Sequence, residues 1–268
     1  MSIARNRWVV LSLISLCAAA CEDPPKPEAK PAETAAAAPA PTPAPTAAPA
    51  AKPEPKAKKP KKQLADCPKG PTVTFEQKGI EDEVRRKLPK PAGDITIADL
   101  KKLKSFNLSQ VKGLEELDVC IFSHMTGLKE LFLGEGTFDD LSPIAGATNL
   151  ESLRASINQV SDLAPLSKLK KLDRLDLGRT QVQDIAPLAE LTALTELQLD
   201  GIQVEDLKPL AKLTLLETLS VKGTKVKDLS PLDGLKKLKS VDGRDTPADE
   251  DPMNFAKLRG RGVKIVNQ

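Results

Sequence analysis

The chain has 268 residues, enough for one or two domains with a sizeable core. Six Phe, one Trp and no Tyr leave leucine to fill most of that core, which favours regular, repeated packing. The formal charge of +3 is unevenly spread: eight lysines oppose five acids between Glu22 and Gln63, and residues 64–268 carry a net −2. That distribution argues against a basic nucleic-acid-binding domain.

The first predicted element is an export signal over residues 1–20. "MSIARNRWVVLSLISLCAAAC" opens with two arginines, runs through apolar residues from Trp8 to Leu16 and ends in small side chains. The apolar run is too short for a comfortable membrane-spanning helix. Ala18, Ala19 and Ala20 lead into Cys21, and this resembles the lipobox of bacterial lipoproteins, although Ala18 stands where that motif usually has Leu. The resemblance implies acylation of Cys21 and a lipid-anchored place in the bacterial cell envelope. The other reading is an ordinary signal peptide cut near Ala20. Which membrane and which face of it stay open.

Residues 21–63 follow as a predicted tether of Pro, Ala, Thr and Lys. The segment has too few large apolar side chains to offset the entropy of ordering, so disorder with polyproline II character is expected. At about 3.1 Å per residue its reach is on the order of 100 Å. Lys56, Lys58, Lys59, Lys61 and Lys62 either contact anionic lipid or cell-wall polymer, or simply keep the tether solvated.

Residues 64–268 form the predicted folded domain, and most of it is one repeated string. "DDLSPIAGATNLESL", "SDLAPLSKLKKLDRL", "QDIAPLAELTALTEL", "EDLKPLAKLTLLETL" and "KDLSPLDGLKKLKSV" share one register. Asp140, Asp162, Asp184, Asp206 and Asp228 are each 22 residues apart, as are Pro143, Pro165, Pro187, Pro209 and Pro231. The strand-forming pairs Leu131/Leu133, Leu153/Ala155, Leu175/Leu177, Leu197/Leu199 and Leu219/Val221 keep the same phase. Such a strand buries its leucines only against neighbouring coils, so a stack is stable where a single repeat is not. Each proline suits the start of a helical return, where its missing N–H is not needed.

The pattern L-x-x-L-x-L followed by T/N-x-V-x-D-L-x-P-L resembles the leucine-rich repeats of bacterial internalin-type proteins, over about Asp94 to Gln268. The resemblance implies an α/β leucine-rich repeat solenoid, with short parallel strands on a concave face and 3₁₀ or short helical returns on the convex face. It also implies an N-terminal helical cap over residues 64–105, repeats over 106–245, and a C-terminal cap with a last strand over 246–268. Phe106/Leu108 is the first strand; the step from Phe106 to Leu131 is three positions longer than the repeat, so "DVCIFSHMTG" must bulge or be rebuilt. Val263 lies one repeat after Val241, so "VKIV" reads as the last strand, and "ADEDPMNFAKLRGRG" before it reads as a capping helix ended by glycines. The family's asparagine position, which bonds adjacent coils, falls here on Gly136, Asn158, Thr180, Ile202, Thr224 and Thr246, predicting a weaker ladder.

The aspartate column admits two roles. Stacked about 4.8 Å apart, bare carboxylates would repel, so either each accepts backbone N–H groups of its turn or the column holds a hard cation such as calcium. The first is favoured because the aspartate recurs together with the core leucines. His124 is the chain's single histidine, with no second ligand at metal spacing, and no serine elbow, phosphate loop or paired-acid motif is found. No cofactor, metal or enzymatic activity is therefore expected. With Cys21 acylated, Cys67 and Cys120 remain in a compartment that permits disulfides; a Cys67–Cys120 bridge is favoured over two separately buried thiols.

A solenoid of this family presents its strand side chains as a concave array that typically binds protein. Phe132, Arg154, Arg174, Asp176, Gln198, Asp200 and Lys222 are the candidate partner-binding residues, with Phe132, Arg154 and Arg174 favoured because interfaces rely on aromatic and arginine anchors. The expected protein is a monomeric, lipid-anchored interaction module with an unidentified protein partner. The alternative is a structural or cell-wall-associated lipoprotein in which the lysine-rich tether contacts polymer and the concave face has no specific partner.

Overall fold

The computed structural model describes residues 62–266. The export signal, Cys21 and nearly all of the tether lie outside the described residues. Lys62, at the end of the lysine cluster, is ion-paired with Glu76 at 2.9 Å and with Asp118 at 3.6 Å.

Among the described residues, eight three-residue strands stack in sequence order as one parallel sheet: β1 Ser105–Asn107, β2 Glu130–Phe132, β3 Ser152–Arg154, β4 Arg174–Asp176, β5 Glu196–Gln198, β6 Thr218–Ser220, β7 Ser240–Asp242 and β8 Lys264–Val266. From β2 to β7 the middle residues Leu131, Leu153, Leu175, Leu197, Leu219 and Val241 pair in register, one sequence repeat per coil. The backbone continues the ladder beyond the strands. Ala155, Leu177, Leu199 and Val221 each donate an N–H to the next coil at 2.8–2.9 Å. This is a stacked parallel solenoid, as the repeat length and the leucine-rich repeat resemblance together imply.

Each coil closes through a 3₁₀ return: Ser142–Ile144, Ala164–Lys168, Ala186–Glu190, Lys208–Lys212 and Ser230–Leu232, all with proline in the first two positions. Ile144, Leu166, Leu188, Leu210 and Leu232 on these returns are fully buried against the strand leucines. Fully burying a leucine contributes roughly 1.5–3 kcal/mol, so the repeated column, not any single coil, supplies the stability.

The aspartate column holds the turns into those returns. Asp140, Asp162, Asp184, Asp206 and Asp228 each accept, on Oδ1, the backbone N–H two residues ahead, at 2.8 Å in every coil. Among the described residues, no group of three or more His, Cys, Asp or Glu side chains is placed to hold a metal ion. At the position of the family's asparagine, Asn158 bridges coils, donating to Gly134 O at 2.8 Å and accepting from Phe138 N at 3.2 Å. Thr180, Thr224 and Thr246 bond only the carbonyl three residues back in their own coil, at 2.6–2.7 Å. Ile202 takes the same position as a buried apolar residue.

The N-terminal cap contains α1 (Lys78–Lys87) and α2 (Ile97–Leu100), ahead of β1. Ile80 and Val84 of α1 pack into the core. The lengthened step from β1 to β2 is absorbed by α3 (Val119–Phe122), a helical turn that Asp118 caps by accepting from Cys120 N at 2.8 Å. Cys67 and Cys120 are joined as a disulfide, which ties the start of the cap to α3.

The C-terminal cap differs from its predicted form in two respects. The single expected helix is split into a 3₁₀ turn, Pro247–Glu250, and α4, Pro252–Gly260. Ile265, not Val263, pairs with Val241, two positions beyond one repeat, because this return carries a longer α-helix than the others. Phe255 of α4 is fully buried beneath β7, close enough that a Cβ at Gly243 would lie 2.7 Å from its ring. Among the described residues, no helix is long and apolar enough to cross a membrane.

Candidate functional site

The strand side chains that do not enter the core form columns on the open face of the sheet. Parallel pairing aligns Asn107, Phe132, Arg154, Asp176, Gln198, Ser220 and Asp242 in one column. Ser105, Glu130, Ser152, Arg174, Glu196, Thr218 and Ser240 form the column beside it.

At the N-terminal end the face is hollowed into an open depression of about 320 Å³. Phe132, Arg154 and Arg174 line it together, joined by Lys87, Asn107 and Glu130. Arg154 places its guanidinium 5.9 Å from the centroid of the Phe132 ring, a cation–π arrangement. Arg174 is exposed, with only a loose 3.7 Å approach of its Nε to Asp173. Lys87 reaches the depression from the last residue of α1 and donates to Ser105 Oγ at 3.2 Å. Sequence spacing could not point to Lys87, because it comes from the cap and not from the repeat.

Further along the face the polar side chains are largely engaged with one another and with backbone N–H groups, within a coil and across to the next. Asp176 accepts from Ser156 Oγ and from Gly178 N, both at 3.0 Å. Asp200 accepts from Ser220 Oγ and from Lys222 N, while Lys222 Nζ approaches Asp245 at 3.7 Å. Gln198 donates to Glu196 at 2.8 Å. Near the C-terminal end Arg244 grips Asp242 through two hydrogen bonds, of 2.7 and 3.1 Å, and holds its carboxyl below the usual aspartate range. Asp176, Gln198, Asp200 and Lys222 therefore continue the face but do not line the depression. His124 sits beside the disulfide, lining a small cleft with Cys67 and Cys120.

A stacked, registered array of this kind defines a leucine-rich repeat scaffold, with varied side chains on the strand face and repeated apolar ones in the core. A leucine-rich repeat (two copies) profile matches residues 148–190. Among solved structures, internalin C2 of Listeria monocytogenes is similar over 72% of this chain and 94% of its own, at 26% identity and a TM-score of 0.58. An internalin of the same species, inlF, is similar over 72% of this chain and 57% of its own, at 27% identity and a TM-score of 0.62. The solenoid is thus internalin-like. No curated protein matches the sequence.

Proposed function

We propose that the chain is a lipid-anchored protein of the bacterial cell envelope whose solenoid holds a protein partner on its concave face. In this reading Cys21 carries the acyl anchor, residues 21–63 space the domain from the membrane, and residues 64–268 present the binding surface. One observation carries the reading. The open sheet face gathers an aromatic ring and exposed cations, Phe132, Arg154, Arg174 and Lys87, into a single depression. Such anchors, placed in a hollow, are what interfaces use to concentrate binding energy. Phe132, Arg154 and Arg174 are the primary contacts, and Asp176, Gln198, Asp200 and Lys222 extend them along the sheet. The role is that of a binding scaffold, not a catalyst.

A photo-crosslinking residue placed in intact cells at Gln198, on the strand face, is expected to trap a discrete protein adduct. The same residue at Lys168, on a return, is expected to trap none. Equal adducts from both faces, or none from Gln198, would remove the concave face from the proposal. The anchor is tested separately, since Cys21→Ser should lose both acyl mass and membrane association.

A further inference from the structure

We infer that the depression at the N-terminal end of the concave face binds an acidic segment of the partner protein. This rests on the concave-face reading above and names the chemistry of the partner. Three cations, Lys87, Arg154 and Arg174, meet there, against one acid, Glu130. Residues 64–268 as a whole carry a net −2, so this corner is a local reversal of sign. An anionic chain is drawn to it rather than to the domain at large.

The arginines are available for that task. Across the β3–β4 pairing, the aspartate in register with Arg154 is Asp176. Its carboxylate is already occupied by Ser156 Oγ and Gly178 N, and Arg154 instead lies over Phe132. No ion pair is formed between the Arg154 guanidinium and a carboxylate among the described residues, and the exposed Arg154 lines the depression. A guanidinium fork matches a carboxylate bidentately, and the neighbouring Phe132 ring, 5.9 Å away, restrains where Arg154 lies. Phe132 supplies apolar surface against which the methylenes of a glutamate can pack. From Asp176 onward the face is richer in acids, with Glu196, Asp200 and Asp242, so the acidic stretch of the ligand is confined to the β2–β4 end.

The test uses the full chain and a fluorescein-labelled octaglutamate peptide, followed by anisotropy in low salt, with octaglutamine as the uncharged comparison. Octaglutamate is expected to bind and octaglutamine not, with binding weakened at high salt. Arg154→Glu combined with Arg174→Glu should weaken binding by at least about tenfold, the loss of charge-assisted hydrogen bonds. Arg154→Lys, which keeps the charge but loses the fork, should fall between. Lys225→Glu combined with Lys227→Glu, exposed and outside the depression, makes the same charge change and should leave binding within about twofold. The inference is overturned if octaglutamate binds no better than octaglutamine, or if the Lys225/Lys227 pair weakens it as much as the arginine pair. It is also overturned if pyrophosphate or phosphatidylglycerol vesicles displace the peptide at equal charge concentration, since the site would then read small anions or a membrane. If octaglutamate fails while Gln198 still crosslinks a partner, the concave face stands and only its acidic ligand falls.

Discussion

After strands β3 to β7 the chain passes through one left-handed residue per coil: Ile157, Arg179, Gly201, Gly223 and Asp245, with φ between +56° and +69°. Left-handed backbone costs an L-residue roughly 1–2 kcal/mol, most for a β-branched one such as Ile157. The parallel ladder imposes the conformation regardless, since Ile157 N donates to Gly178 O at 2.8 Å and Gly201 N to Lys222 O at 2.7 Å. At Gly223 an added Cβ would approach nothing closer than Gly201 Cα, at 3.8 Å, so substitution there meets backbone strain and not a clash. Gly223→Val is therefore expected to lower unfolding free energy by on the order of 1 kcal/mol in urea denaturation, and Gly223→Asn by clearly less. Equal costs for the two variants would contradict a left-handed residue at 223. This column was not legible in the sequence, because an isoleucine, an arginine, two glycines and an aspartate share no side-chain chemistry, only a backbone state. Phe132, Arg154 and Arg174 were legible, because each strand position fixes which face its side chain takes. Lys87 was not, since the fold of the cap brings it there.

At the scale of one coil, the aspartate and the 3₁₀ return act as a unit. Asp184 accepts from Ala186 N at 2.8 Å, which satisfies a donor at the start of the return. Asp184→Ala should lower the melting temperature by roughly 2–4 °C, and Asp184→Asn, which keeps an acceptor, by less. Charge adds a pH dependence. The backbone N–H of Lys208 holds the Asp206 carboxyl below its ordinary range, and the backbone N–H of Ser230 does the same for Asp228. A carboxyl with a lowered pKa in the folded state stabilises above its unfolded value near ~4, and that contribution is lost as pH falls through the lower folded value. The urea midpoint should thus hold from neutral pH to about pH 5 and drop below about pH 4, and Asp206→Asn with Asp228→Asn should shrink that drop. A midpoint that rises on acidification would contradict the column's role. The coils themselves were readable because a constant repeat length returns each leucine to the same place. Readability ended where the period did. The lengthened step after Phe106 signalled a rebuilt segment but not that it would be the helical turn α3. At the other end, counting one repeat from Val241 gave Val263, whereas α4 adds two positions to the step and selects Ile265.

As a whole molecule, the solenoid is a one-dimensional stack in which each coil depends on its neighbours, so the ends decide how opening begins. The C-terminal end is covered by α4, with Arg261 donating to the Asp233 carbonyl at 2.7 Å on the preceding return. The N-terminal end is held covalently, by a Cys67–Cys120 disulfide across 53 residues of sequence that enclose α1, α2 and β1. In the chain-entropy treatment a loop of that length contributes roughly 4 kcal/mol, all of it within the cap and first coil. Reduction, or Cys67→Ser with Cys120→Ser, should therefore open the molecule from one end instead of destabilising it evenly. Hydrogen exchange should accelerate first in α1, α2 and α3, while amides of β4 to β6 stay protected. Trypsin should cut at Arg85 or Arg86 before Lys168 or Lys212. Even acceleration along the whole sheet would show that the disulfide does not localise the response. Lys87 rides on α1, so loosening the cap should also remove one of the three cations from the concave depression. Octaglutamate binding by the reduced protein should accordingly weaken before the central coils unfold, which couples the redox state of the cap to the binding face through a single helix.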